Sequence, residues 1–448
     1  MSAHSEPAQP GPVEPGAAPP DPAQPRPAHL LEPWFAPFAL VNGSAVGLVP
    51  ILLPIVASRY GVGHVGLVMG AFNFGAFAAP LAGSLADRYH AYRLLTAVCA
   101  LVTAVSLWLF ALAGPWQQVL LALVNGAGFA AAVTIANLLI VERRPRTEWN
   151  QRLAWLEWAL SIGQGAMLLL AAWLSGLHAR PALVGAAIVP AAAIPLALLV
   201  PRMAATASAA AAASPAVHEP VLLRSAGHVG EWGPASPSRA HHLHQRRSLG
   251  GLLAVVRGRF GWFLLAWVPA YAGTAIVFAL YPVLFRDAFG VAPHVSALAF
   301  AVIVFVSLPL FVVAGRVGQR RGPAVTMAGG LAARVVLLTA LALLAAAGHV
   351  PSVLPLAAFA GIMFAWSFLS VAGPGLTAQL ASGREGDAQG ALNAGSGLAG
   401  LAGSVVGGFA AARWGYPAAL GIGAGAVAIG LAIFASTTMR RSGDRSPA

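Results

Sequence analysis

Asp87, Arg88 and Arg93 form a knot of charge within Pro80–Arg93 (PLAGSLADRYHAYR), with the apolar stretches Val62–Ala82 before it and Leu94–Gly114 after it. An acid among arginines at such a place can make and break ion pairs, which changes conformation without making bonds. A second set lies inside an apolar stretch: Glu157, Ser161 and Gln164 recur at i, i+4 and i+7 and so share one helix face. Glu157 is the only acid well inside such a stretch, about 10 Å from its nearer end at 1.5 Å per residue. A carboxyl at that depth can take up and release a proton, meet a cationic ligand, or sit in a structural ion pair with an arginine such as Arg152. Gln389, Asn393, Ser396 and Gly400 recur at helical spacing in a second polar face. Aligning the chain on Glu148 and Asp387 sets Ser396 opposite Glu157.

Bond-making chemistry has no equivalent support. The chain contains no lysine, hence no Walker motif to bind ATP, and no G-x-S-x-G nucleophile turn. The single cysteine, Cys99, lies in an apolar stretch. His241, His242 and His244 sit in a Pro/Ser/Ala-rich segment where incidental surface histidines are expected. Neither an enzyme nor a cofactor nor a metal is implied.

These residues must be positioned by membrane helices. Charged residues are 9% of the chain, hydrophobic residues 58%, and the mean hydropathy is +0.75, whereas a soluble domain carries roughly 25% charged residues. The net charge of +12 does not mark a nucleic-acid binder, because the arginines lie between apolar spans. A span needs about 20 mainly apolar residues. On that basis twelve spans are expected: 34–57, 63–84, 94–114, 117–141, 152–176, 181–201, 260–284, 293–315, 323–347, 352–379, 388–412 and 415–438. The fold class is therefore an all-α polytopic membrane protein.

Residues 1–30 read as a disordered tail rich in Pro and Ala, and 440–448 as a second tail. Residues 203–258 read as a linker between two six-span halves, 31–202 and 259–439, with a short amphipathic helix near Leu249–Phe260. With both termini cytoplasmic, inside segments hold 21 arginines and outside loops four, namely Arg59, Arg180, Arg286 and Arg413. That bias orients the chain with both ends inside. The halves also echo each other. GVGHVG at Gly61–Gly66 parallels GVAPHVS at Gly290–Ser296, and GSLADR at Gly83–Arg88 parallels GRVGQR at Gly315–Arg320. Six spans plus six, with a repeat across the middle, is a transporter architecture.

On these residues the chain resembles the major facilitator superfamily over roughly residues 34–438. That family's loop between spans two and three reads Gly-x-Leu-Ala-Asp-Arg-x-Gly-Arg-Lys/Arg, and Gly83, Leu85, Ala86, Asp87 and Arg88 stand in place. His90, Ala91 and Tyr92 depart from it, with Arg93 near the displaced basic position. The second copy keeps Gly315, Arg320 and Gly322 but has Gln319 in the acidic place.

The resemblance implies a two-half membrane fold and a cytoplasmic charge cluster that closes one side, built here from Gly83, Asp87, Arg88, Arg93, Gly315 and Arg320. It also implies a central cavity lined by spans one, four, seven and ten, with two, five, eight and eleven contributing. The cavity candidates are Asn42, Asn73, Asn125, Ser161, Gln164, Tyr271, Tyr281, Trp366, Gln389 and Asn393, and Glu157 is the candidate coupling site. An aromatic stripe on span seven (Trp267, Tyr271, Thr274, Phe278, Tyr281) and another on span ten suit an amphipathic organic substrate. Each single ring is also explicable as helix packing. Arg334, in span nine, is expected to snorkel or to be structural, since that span is peripheral in the family.

The drug-antiporter subclass is not matched. Span four lacks the Arg-x-x-Gln-Gly run, and span five has Gly163-Gln164-Gly165 without the proline. The expected protein is a monomeric, proton-coupled secondary transporter of a small molecule in a bacterial inner membrane, working as an exporter. An importer or facilitator of a small neutral metabolite, and a non-transporting sensor or scaffold, are the alternatives.

Overall fold

A bilayer core about 30 Å thick offers no water to backbone groups, so each crossing closes its hydrogen bonds within a helix. The structure, a computed structural model, describes residues 31–89, 91–143, 149–202, 258–380 and 385–439. The 1–30 and 440–448 tails, His90, Glu148, and residues 203–257 with the expected amphipathic helix and the histidine cluster lie outside the described residues.

Among the described residues every regular element is helical. In chain order these are α1 (Phe35–Tyr60), α2 (62–89), α3 (Tyr92–Phe110), α4 (Pro115–Arg143), α5 (Trp149–Leu174), α6 (Ala179–Leu196), α7 (Arg259–Phe289), α8 (Pro293–Arg321), α9 (Pro323–Ala347) and α10 (Val353–Leu380). A run of 50 residues, Glu385–Phe434, follows. Such a run would be about 75 Å long, more than twice the apolar thickness. It is divided at Gly415, whose φ of 83° and ψ of 169° lie outside any helix, into α11 (385–414) and α12 (416–434). Eleven runs among the described residues are long and apolar enough to cross a membrane, and the division at Gly415 makes twelve crossings, as the sequence leads one to expect.

The internal echo reappears in the backbone only in the sign of φ, since ψ is 161° at Gly61 and 16° at Gly290. Gly61 and Gly290, at corresponding places in the two copies, close the turns after α1 and α7 with φ of 95° and 65°, which side chains rarely adopt. The echo also reappears as packing. A Cβ built on Gly163 of α5 would lie 2.3 Å from the carbonyl oxygen of Ala39 in α1. A Cβ built on Gly403 of α11 would lie 2.0 Å from that of Ala272 in α7. In both halves the first helix crosses the fifth backbone to backbone, which only glycine permits.

α1 is not uniform. Ser44–Leu48 forms a π-helical turn between α-helical pieces, a local widening often found at functional sites. Pro50 follows it and has no N–H to give to the Val46 carbonyl. Gln164 Nε2 of α5 reaches that carbonyl at 3.5 Å.

Short turns make successive helices antiparallel, so one end of the bundle carries the described chain ends and the other end is far from them. The halves meet toward the far end. A Cβ on Gly66 of α2 would lie 2.4 Å from Ser404 O of α11, and one on Gly408 would lie 2.7 Å from Gly66 Cα. Nearer the middle, Asn73 Nδ2 donates to Ser404 Oγ at 3.2 Å, and Gly165 of α5 leaves room for the Phe305 ring of α8. Val49–Ala57 of α1 packs on α7, whereas Phe35–Gly43 and Ala79–Tyr89 pack chiefly within their own half. Toward the chain-terminal end, built Cβ atoms on Gly315 and Gly390 meet nothing within 4 Å, and one on Gly83 meets only Thr134 and Leu138 of its own half. Among the described residues, close backbone contact between the halves lies toward the far end and is lacking at Gly83, Gly315 and Gly390 toward the terminal end.

Gly66→Val should therefore pry the far end open. In a Cys99→Ala background, a reporter cysteine at Val405 should react several-fold faster with a membrane-impermeant maleimide than in the Gly66 parent, and unchanged labelling would contradict the seal.

Candidate functional site

The polar face of α5 is divided between packing and access. Ser161 and Gln164 are buried, and Gln164 is committed to the Val46 carbonyl. Glu157, one turn nearer the terminal end, is half-exposed. Asn42 of α1 donates to Leu160 O of α5 at 3.1 Å. Asn125 of α4 donates to Thr103 O at 3.2 Å and to Ser106 Oγ at 2.8 Å, both on α3. Asn42 and Asn125, expected as cavity groups, therefore spend their amide donors on helix pairs inside the first half. The reason is that an amide facing neighbouring helices in lipid finds carbonyls more readily than a cavity. Asn73 bridges the halves instead, and Gly400 leaves the room it needs, since a Cβ there would lie 3.0 Å from Asn73 Cγ.

The second half holds a different kind of surface. Trp267 and Tyr271 of α7 and Trp366 of α10 form a three-ring cluster, with centroids 6.0 Å (Trp267–Tyr271), 6.4 Å (Trp267–Trp366) and 6.1 Å (Tyr271–Trp366) apart. Trp267 Nε1 donates to Ser396 Oγ of α11 at 2.8 Å, and the Ser396 hydroxyl donates to Leu392 O at 2.9 Å. Trp267 and Trp366 are 5% and 7% exposed, while Tyr271 is half-exposed and gives the cluster its open side. Gly373 of α10 comes within 3.3 Å of the Trp267 ring when given a Cβ. The cluster thus joins α7, α10 and α11.

Arg334 of α9 belongs to this cluster. It is 1% exposed, its Nη1 donates to Thr274 Oγ1 of α7 at 2.9 Å, and its guanidinium carbon stands 5.1 Å from the Trp366 ring centroid. Of the two expectations for Arg334, snorkelling and a structural role, the geometry goes against snorkelling: the side chain runs inward. The available signal was the cost of a charge at that depth, which argues for a role.

Tyr281 also departs from expectation. It is fully buried, donates to Ser296 O at 2.8 Å, and stacks on Phe359 at 4.1 Å within a group that includes Phe278, Phe285 and Phe300. It is core of the second half, because a ring two turns and more beyond Tyr271 faces α8 and α10 where they close on α7. Asn393 is half-buried on α11. Gln389 falls in the first turns of α11, and its side chain lies outside the described ones.

Of the charged-loop residues, Asp87 falls in the last turn of Ala79–Tyr89, and its side chain is likewise outside the described set. Arg88 is exposed with its guanidinium 5.5 Å over the neighbouring Tyr89 ring. Arg93 donates to Val200 O at the end of α6. Gly315 is half-exposed and Arg320 exposed. Among the described residues no group of His, Cys, Asp and Glu is placed to hold a metal.

Paired helical halves, in close contact toward one end and lined by polar and aromatic side chains, define an integral membrane protein built to pass a solute between them. The sequence model of the Major Facilitator Superfamily matches residues 35–370 and 263–447. The chain belongs to that superfamily, and it is a transporter.

Solved structures agree on the fold. The nucleoside transporter NupG, solved as a point mutant, is 16% identical with a TM-score of 0.69, over 90% of this chain and 100% of that one. A bacterial homolog of the human lysosomal transporter Spinster, inward-facing and occupied, is 14% identical with a TM-score of 0.68, over 93% and 98%. A D-xylose-proton symporter is 12% identical with a TM-score of 0.61, over 90% and 96%. Comparison with curated proteins returns no match.

Tyr281→Phe tests the reassignment of that residue. It should cost about 0.5–1 kcal/mol of stability through the lost hydrogen bond, read as a lower thermal midpoint, and leave transport unchanged. A transport defect at unchanged stability would return Tyr281 to the cavity.

Proposed function

We propose that the protein is a proton-coupled secondary transporter that exports a small, largely apolar organic molecule by alternating access. The observation that carries this is the asymmetry between the ends: backbone-close contact of Gly66 with Gly408 toward the far end, and no such contact at Gly83, Gly315 and Gly390 toward the terminal end. Such an arrangement has a natural counterpart in which the contacts exchange ends. The arginine bias assigns the terminal end to the cytoplasm, so this state loads from inside, with both termini cytoplasmic in a bacterial inner membrane. The structural relatives, a nucleoside transporter and a D-xylose-proton symporter, favour a small organic cargo.

Glu157 is the proposed proton site. It is half-exposed on the terminal-end side of the α5 face, where protonation and solute binding can be linked. Asp87, with Arg88 and Arg320, is the proposed cytoplasmic latch that forms when the terminal end closes. Gln319 in the second copy has no charge to contribute.

The test is flux in proteoliposomes. Glu157→Gln should retain substrate binding, seen as thermal stabilisation by ligand, while flux loses its response to a pH gradient. If wild-type flux ignores the gradient, the protein is a facilitator and the coupling proposal fails. Asp87→Asn should shift the balance toward the inward-open state, with slower turnover and faster labelling of terminal-end cysteines, while Gln319→Ala should leave both unchanged.

A further inference from the structure

The aromatic cluster of the second half is built around a buried cation. Arg334 reaches from α9 to the back of Trp366, 5.1 Å from its ring centroid, and is fixed by Thr274 Oγ1 at 2.9 Å. Trp366 in turn packs against Tyr271 and Trp267, and Tyr271 is the half-exposed member. Neither the stretch 259–286 nor the stretch 288–384 contains an Asp or Glu. The helices α7 to α10 therefore hold no acidic side chain other than Asp287, which stands at the far end of α7.

Aromatic rings usually favour cations, because the ring face is electron-rich. Here a guanidinium already holds that interaction at Trp366. A ligand stacked at the open, Tyr271 side of the cluster, whose ring centre lies 6.1 Å from that of Trp366, would stand roughly 10 Å from the guanidinium. At an effective dielectric of about 20, one unit charge at that distance is favoured or disfavoured on the order of tenfold.

We propose that Arg334 is a specificity-determining residue that makes the Trp267–Tyr271–Trp366 cluster accept planar aromatic molecules that are anionic or neutral and reject planar aromatic cations. This rests on the transporter reading above and names the class of its substrate. Arg334 acts through the ring it backs and through its field, without requiring direct contact with the ligand. The same chemistry separates this site from the polar α5 face, where Glu157 would favour the opposite sign. The two halves thus present unlike surfaces to one solute, with the aromatic anchor in the second half.

The experiment is isothermal titration of the full chain purified in detergent, with detergent-only titrations subtracted. Three probes share one ring system: 2-naphthoate, 2-naphthalenemethanol and 2-naphthylmethylammonium. The wild type should bind the anion at least tenfold more tightly than the cation, with the alcohol between. Arg334→Lys should preserve that order, and Arg334→Met should reduce the anion-to-cation ratio to within about threefold while leaving the alcohol nearly unchanged, consistent with loss of a single charge at this distance.

Equal binding of the two ions to the wild type, tighter binding of the cation, or binding of none of the three overturns the proposal whether or not Arg334→Met can be purified. A ratio that survives Arg334→Met also overturns it. Charge selection in binding together with no flux of any probe in proteoliposomes would sustain the inference and sink the transport reading instead, so the two failures are distinguishable.

Discussion

Backbone-to-backbone approach at glycine is the constraint on which the rest of this structure depends. In lipid, apolar side chains gain little by exchanging lipid for one another, so helices associate through close van der Waals contact and a few hydrogen bonds. Each atom pair contributes only about 0.1–0.2 kcal/mol, so the contact must be dense. Gly163 against Ala39 and Gly403 against Ala272 supply that density inside the two halves, and Gly66 against Gly408 supplies it between them. A methyl group at any of these points would stand inside another residue's backbone. The conformational state follows from the same fact: glycine contact extends along α2 and α11 toward the far end and is lacking at Gly315 and Gly390.

Once the helices are this close, polar side chains are allocated by what they can reach. Asn42, Asn125 and Gln164 find acceptors on the adjoining helix, and Gln164 meets a carbonyl that Pro50 cannot serve. A polar group in lipid without such a partner is costly, so these contacts hold the first half in one arrangement. The second half is held by rings. Phe278, Tyr281, Phe285, Phe300 and Phe359 fill its interior, and the Trp267–Tyr271–Trp366 cluster extends that aromatic character to where the halves part. The pseudo-symmetry is thus one of backbone and not of chemistry. The N-terminal half presents the half-exposed Glu157 over amides spent in packing, and the C-terminal half presents rings backed by a guanidinium.

Much of the fold could be read from the chain alone. Span-length apolar runs, the repeat of the turn at Gly61 and Gly290, and the division between α11 and α12 at Gly415 each have a one-dimensional cause, namely bilayer thickness or the need for a positive φ. The site was legible in part. Tyr271 and Trp366 each stood on an aromatic stripe, of α7 and α10 respectively, because helical spacing reports which residues share a face of one helix. Tyr281 lay on the same stripe and went elsewhere, because spacing does not say what stands opposite. Arg334 was visible as a costly charge, but the direction of a long side chain from a peripheral helix depends on the gap between two other helices.

The sequence by itself determined that this protein spans a membrane twelve times in two related halves, because hydropathy, span length and turn glycines are local properties of the chain. Only the tertiary structure decided which polar groups are consumed in packing, where Arg334 points, and which end of the molecule is closed. Those depend on distances between helices far apart in sequence, and such distances are set by the glycine contacts and ring volumes that packing brings together.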